Sequence, residues 1–225
     1  ITSDLSFILE YPYFKKDLNH TAIKNYLDLE TPCTESTFYN GIKKIPPRNL
    51  LIISSKGINL KPYKTLKVIP NVNKFGIAKT VETFRDLFLK TVEEYSRSKK
   101  RVGLQFSGGL DSSSILVALK NQKTKTEIFS YTARFDSLPE FERKKISEKK
   151  YQDGCLKGSN VHSRFYDQTK ITTISRLDAY LKIFRQPFYF PNLALIEESY
   201  KMAKNDEIDV LMSGMDGDSV LSHGY

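Results

Sequence analysis

Val102-Gly103-Leu104-Gln105-Phe106-Ser107-Gly108-Gly109-Leu110-Asp111-Ser112-Ser113 decides the fold. Val102 to Phe106 is a short apolar run of strand type, and Ser112 to Lys120, rich in Ile, Leu, Val and Ala, reads as a helix. The loop between them has two glycines, which let the backbone turn tightly and approach a ligand with no Cβ in the way. Ser112 or Ser113 then opens a helix whose unpaired N–H groups and dipole favour an anion. With the hydroxyls of Ser107, Ser112 and Ser113 added, strand, loop and helix describe a pyrophosphate cradle. Asp111 is the odd member, because a carboxylate repels the anion it sits beside. A Mg²⁺ ion between carboxylate and phosphates removes that conflict. The simpler alternative makes Asp111 a helix cap and the glycines a turn. The Walker pattern, Gly-x-x-x-x-Gly-Lys-Ser/Thr, is absent from the chain.

Outward from this stretch, strands and helices alternate. Ile77, Val81, Phe84, Phe88 and Val92 recur at helical spacing before the loop. After it come a strand at 127–133, a charged surface helix from Pro139 to Leu156 and a strand at 161–166. Helices at 174–184 and 193–204 follow, and a strand at 209–212 closes the series. That order predicts an α/β fold over residues 76–225, a parallel sheet with helices on both faces. Residues 38–63 read as two short strands turned at Lys56-Gly57, so a small β-rich segment over 1–70 precedes the sheet. Pro70 to Gly76 reads as a linker.

A second site-like run, Ser213-Gly214-Met215-Asp216-Gly217-Asp218, also follows an apolar strand. Ligands of open parallel sheets bind beyond the carboxyl ends of strands, so the two loops can converge on one ligand. Asp216 and Asp218 are then candidate second carboxylates for Mg²⁺.

Composition bounds the rest. The 225 residues are 40% hydrophobic and 27% charged, an ordinary globular balance. No apolar run is long enough to span a bilayer, and no signal-peptide pattern opens the chain. Cys33 and Cys155 are too few for a disulfide scaffold and read as reduced, intracellular thiols, hence a cytoplasmic protein. The net charge of +9 is concentrated between residues 51 and 150. Lys outnumbers Arg 26 to 9 and is dispersed, which argues for solvated Lys over a nucleic-acid surface. His20, His162 and His223 have no partners at ligand spacing. The chain starts at Ile1 and stops just after the second loop, so it reads as an excerpt of a longer protein.

S-G-G-L-D-S-S at 107–113 resembles the pyrophosphate loop of the asparagine synthetase family, within the adenine nucleotide alpha hydrolase-like ATP pyrophosphatases. The 213–218 run is similar to that family's S-G-x-G-x-D-E-L-F-G-G-Y motif, with Ser222-His223-Gly224-Tyr225 as a loose tail. TFYNGIKKIPPRNLLII and INLKPY resemble the hairpin that ends the family's glutaminase domain. The resemblance implies an ATP-dependent carbon–nitrogen ligase: a carboxylate, aspartate by family, is adenylated and then joined to ammonia drawn from glutamine. It implies that Ser107, Gly108, Gly109, Ser112 and Ser113 hold pyrophosphate and that Asp111 and Asp218 hold Mg²⁺. Ser213 and Gly214 meet the AMP portion, and the backbone near Phe106 and Tyr131 brackets adenine. Ser219 stands where the family has Glu, and Arg185-Gln186 stands where it has an acidic pair. Those departures leave open a β-lactam synthetase or lasso-peptide cyclase-like acceptor. A tRNA-modifying ATP pyrophosphatase and a non-catalytic interaction protein fit the residues less well.

Overall fold

The computed structural model describes residues 1–30, 35–63, 76–97, 99–122, 125–167, 169, 172–188 and 190–221. Cys33, most of the Pro70–Gly76 stretch and Ser222 to Tyr225 lie outside them. The chain divides into two compact units, Ile1–Val72 with Asp178–Phe188, and Asn73–Leu177 with Tyr189–Tyr225. Residues 178–188, counted with the sheet in the sequence reading, thus group with the N-terminal segment.

The first unit holds the hairpin β1 (Asn49–Ser54) and β2 (Gly57–Pro62), antiparallel with Ser54 opposite Gly57. Gly57 has φ +118°, which only glycine adopts without strain. Two short helices accompany it, α1 (Leu5–Leu9) and α2 (His20–Leu27). Each starts at a side-chain cap: Asp4 accepts from Ser6 N, and Asn19 from Ala22 N. The segment from Asp178 to Phe188 is bound in by the Tyr26 hydroxyl, which donates to Phe188 O, and the Tyr39 hydroxyl, which donates to Arg185 O.

The second unit is built on four parallel strands: β3 (Arg101–Gln105), β4 (Glu127–Arg134), β5 (Val161–Asp167) and β6 (Val210–Ser213). They lie in the order β5-β4-β3-β6. Alternate residues of β3 face opposite layers, as the pleat requires. Val102, Leu104 and Phe106 pack against α4 (Leu110–Lys120), where Leu116, Ala118 and Leu119 are buried, and against Val92 of α3 (Gly76–Ser96). Fully burying side chains of this size stabilises by about 1.5–3 kcal/mol each. On the other face Phe129 and Tyr131 pack on Ala203 of α8 (Leu193–Asn205). Gly103 makes room for this: a Cβ there would lie 2.9 Å from Leu211 and 3.0 Å from Tyr131.

The stretch from Pro139 to Leu156 is two helices, not one: α5 (Glu140–Ile146) and α6 (Lys149–Leu156). The chain turns extended at Ser147, with ψ 120°. Nor is α6 wholly a surface helix, since Gln152 is 5% exposed. The 174–184 helix begins with a 3₁₀ turn (Ile174–Arg176) and continues as α7 (Leu177–Phe184).

Strand order reverses between β3 and β6. β4 and β5 extend the sheet to one side of β3, and the chain returns to add β6 on the other. The loops leaving β3 and β6 are therefore neighbours at the carboxyl edge, at the switch point where open α/β sheets form a crevice.

Candidate functional site

The loop after β3 is held by its own serines. Gly109 N donates to Ser107 Oγ at 3.0 Å, and Ser107 and Ser112 share a hydroxyl contact of 3.1 Å. Ser107 N donates to Ser112 Oγ at 3.3 Å. Gly108 has φ +93°, and a Cβ on it would lie 2.9 Å from Gln152 Cγ. Both conformation and space therefore demand glycine here. The helix opens two residues earlier than the sequence suggests. Gly109 is its N-cap, makes no side-chain cap bond, and α4 runs from Leu110. Asp111 is thus not the cap but lies in the first turn, among N–H groups with no intrahelical acceptor.

The loop after β6 is packed onto that turn. Met215 N donates to Ser213 Oγ at 3.1 Å, and Gly217 N to Gly214 O at 3.2 Å. Asp216 adopts φ +65°, a left-handed value that a short polar side chain tolerates. The short helix α9 (Gly217–Leu221) follows. A Cβ on Gly214 would lie 2.9 Å from both Asp111 Cβ and Ser112 N. A Cβ on Gly217 would fall on the Asp111 carboxylate, 2.8 Å from Oδ1. The two loops meet at Asp111.

Together they border a cleft of about 640 Å³, within the size range of small-molecule sites. Its walls combine the loops with Gln105, Ala133, Phe135, Glu148, Tyr166, Leu195 and Ile196. Gln152 supports the cradle from α6: its Nε2 donates to Ser107 O at 2.8 Å and to Ala133 O at 3.4 Å. The Tyr166 hydroxyl donates to Leu195 O, and burial, with the charge of Glu198, pushes its pKa up to about 12. The Tyr131 side chain points behind the sheet, where its hydroxyl donates to Asp206 Oδ2 at 3.0 Å. Burial first and that bond second keep this phenol protonated well above the ordinary range.

Of the residues singled out by sequence, Phe106, Ser107, Gly109, Asp111, Ser112, Tyr131, Ser213, Gly214 and Asp218 border the cleft. Gly108 stands behind the loop, against Gln152. Ser113 turns away, with Cys155 Sγ 3.8 Å from its Oγ. Arg185 and Gln186 border a separate cavity of the first unit, and Arg185 pairs with Glu10 at 2.7 Å. Glu148, Gln152 and Gln105 were not anticipated. The first two sit inside a charged run that looks uniformly solvated, and Gln105 is one polar residue in an apolar strand.

The cleft has acid on its walls (Asp111, Glu148, Asp216, Asp218) and, among the described residues, neither Lys nor Arg. A polyanion can settle there only with the helix N-terminus and a cation to offset the carboxylates. No group of three or more His, Cys, Asp or Glu side chains suited to a metal occurs among the described residues. Asp111 and Asp218, both on the cleft wall, could supply part of a cation's shell. That suits a hydrated hard ion completed by phosphate oxygens.

Residues 83–225 match the asparagine synthase family. No curated protein sequence matches the chain significantly. Among solved structures the chain is similar to an NH3-dependent NAD synthetase from Campylobacter jejuni subsp. jejuni NCTC 11168 in complex with the nitrate ion. The TM-score is 0.39 and the identity 14%. That match covers 64% of this chain and 60% of the other, so less than two thirds of that protein's length is spanned.

Proposed function

The chain belongs to the asparagine synthase family, and from that premise and the cleft we propose that it serves an ATP-dependent carbon–nitrogen ligase that adenylates a carboxylate. The observation that carries this reading is that the glycine-serine cradle at the start of α4, Asp111 in its first turn and Asp218 of the second loop border one cleft. The backbone of Ser107, Gly108 and Gly109 and the first N–H groups of α4 bind the pyrophosphate end of ATP. Ser112 braces the loop through Ser107, and Ser113 contributes backbone alone. Phe106, Ser213, Gly214 and the backbone at Tyr131 border the AMP portion. Asp111 and Asp218 would hold Mg²⁺, which when bound offsets charge on the leaving pyrophosphate.

In this reading a substrate carboxylate oxygen attacks the α-phosphorus and the bond to pyrophosphate breaks. Ammonia or an amine then attacks the acyl carbon, and AMP leaves with the bonding pair. The protein contributes orientation and electrostatic stabilisation of the leaving group, with no covalent enzyme intermediate. The reading takes aspartate as acceptor and glutamine as ammonia source from the resemblance of the two loop motifs. A second reading, an acceptor less polar than aspartate, is favoured by Phe135, Ile146, Leu195, Ile196 and Met215 on the cleft walls.

The test is carboxylate-dependent ATP–pyrophosphate exchange by the full-length protein, with aspartate first and apolar carboxylates beside it. Exchange is expected, and Asp111→Asn should abolish it while circular dichroism and melting stay as in wild type. Exchange retained by a folded Asp111→Asn protein would overturn the role of Asp111. No exchange with any carboxylate would overturn the ligase reading.

A further inference from the structure

Five side-chain polar atoms are buried without a hydrogen-bond partner among the described residues, and four of them belong to one crossing of β4 and α6. Ser130, Thr132 and Arg134 are alternate residues of β4 and so project to one face of the sheet. Ile128 starts that row, and with Cys155 and Leu156 of α6 it packs on Leu104, Phe106 and Leu116. α6 therefore covers this face. Arg134 Nη2 donates to Asp153 of α6, and the neighbouring Gln152 reaches the β4 main chain at Ala133 O. Thr132 Oγ1, Arg134 Nε and Gln152 Oε1 are the unpaired atoms at this crossing, with Ser130 Oγ one alternate position behind them.

The orientation of Gln152 is fixed by carbonyls. Its nitrogen lies against Ser107 O and Ala133 O, which can only accept, so the unpaired atom is the amide oxygen. The four atoms are then a mixed set. Gln152 Oε1 only accepts, Arg134 Nε–H only donates, and the hydroxyls of Thr132 and Ser130 do either. An anion cannot serve the amide oxygen, and a cation cannot serve the guanidinium. Water, with two protons and two lone pairs, serves both. Ser130 and Thr132 are fully buried and Gln152 is 5% exposed, so each depends on an internal partner. Alternate residues of a strand stand roughly 6–7 Å apart, a gap that two hydrogen bonds of about 2.8 Å through one water nearly span.

We infer that an internal water site lies beneath the cradle. One water joins Thr132 Oγ1 to Gln152 Oε1 and accepts from Arg134 Nε, and a second reaches Ser130 Oγ. Three partners are typical of a structural water that is costly to remove. The site holds the far end of the amide whose near end holds Ser107 O, so both ends of the Gln152 prop are fixed.

The test is Thr132→Val in the full-length protein, which keeps the branched shape and exchanges the hydroxyl for a methyl. Removing a buried hydroxyl that has no partner raises the melting temperature, because a desolvated polar atom disappears. Removing one that holds a water leaves Gln152 and Arg134 short of a bond. A fall of about 2–4 °C or more is therefore expected. A folded variant that melts at or above wild type overturns the inference. The second readout needs no variant: a wild-type crystal structure at a resolution that shows ordered water. It should place a water within about 3.2 Å of both Thr132 Oγ1 and Gln152 Oε1. Well-ordered side chains at both positions with no water between them overturn the inference as well.

Discussion

The backbone of Gly217 rests on the carboxylate of Asp111, so close that a Cβ at 217 would come within 2.8 Å of Oδ1. The two residues are about a hundred positions apart in sequence. Their contact follows from topology: β3 and β6 are adjacent parallel strands, so the loops at their carboxyl ends are neighbours. Gly214 makes a second close approach to the same residue, 2.9 Å from a notional Cβ to Asp111 Cβ. A carboxylate pinned by two backbones is held in one orientation with little entropy left to lose on binding a cation.

Gly217→Ala is therefore expected to force Asp111 or the 213–218 loop to move. Overpacking of this kind costs about 1–3 kcal/mol. Nucleotide-dependent stabilisation in a thermal melt with Mg²⁺ should fall by more than the melting temperature of the unliganded protein. Gly154→Ala is the matched comparison. A Cβ there meets nothing within 4 Å, and the residue lies inside α6. It should stabilise by about 0.5–1 kcal/mol and leave nucleotide binding alone. Equal nucleotide shifts in the two variants would dismiss the steric lock at Asp111.

Gln152 is the prop beneath the cradle, and its Oε1 is buried without a partner among the described residues. Gln152→Leu removes the donor to Ser107 O and Ala133 O and is expected to cost about 1–3 kcal/mol, with weaker pyrophosphate binding. Gln152→Glu should be worse at neutral pH, where a carboxylate faces two carbonyl oxygens. These acceptors and burial raise the pKa of the new side chain, so its protonated form regains the donor in mild acid. Melting of Gln152→Glu should recover toward wild type between about pH 7 and pH 5. A Gln152→Glu melt that tracks wild type at a constant distance over that range would mean the donor does not matter.

The parts of the fold that periodicity governs were legible from the residues. β3 and β6 are short apolar runs, β4 and β5 mix apolar with polar residues between turn signals, α3 repeats its apolar residues at helical steps, and α4 carries the unbroken apolar run Ile115 to Leu119 of a buried helix. α1, α2 and α9 are too short for any period to show. Asp4 and Asn19 nevertheless carry cap signals, which would have located the first two. The break at Ser147 and the inward turn of Gln152 were hidden for another reason. In a run as charged as Glu140 to Lys150, the pattern does not reveal which face meets the sheet. The cradle was legible because its glycines and serines act locally, within one turn of chain. Gln105 was not, because its place depends on a hydrogen bond with Ser199, far away in sequence.

Asp206 sets the last expectation, on acid stability. It accepts from Tyr131 at 3.0 Å and from Arg164 through Nε at 3.2 Å and Nη2 at 3.0 Å. Burial alone would raise its pKa, but the bonds from Arg164 and Tyr131, with the charges of Arg164 and Arg101, hold it below the usual 3.8. The folded carboxylate thus gives up its proton more readily than the unfolded one. The unfolded state binds more protons on the acid side, so this stabilisation is complete above the unfolded pKa and is lost as pH falls through the folded one. Asp206→Asn keeps the shape and removes the charge. It should cost about 1 kcal/mol at pH 7, the low end for such a bond because the Arg164 side chain is 43% exposed. The deficit relative to wild type, followed by urea unfolding from about pH 7 to pH 3, should shrink below about pH 4. Arg164→Ala should show the same convergence, since it removes the other half of the pair. Packing loss alone is indifferent to pH, so a deficit that stays constant through the acid range would assign Asp206 a steric role and no electrostatic one.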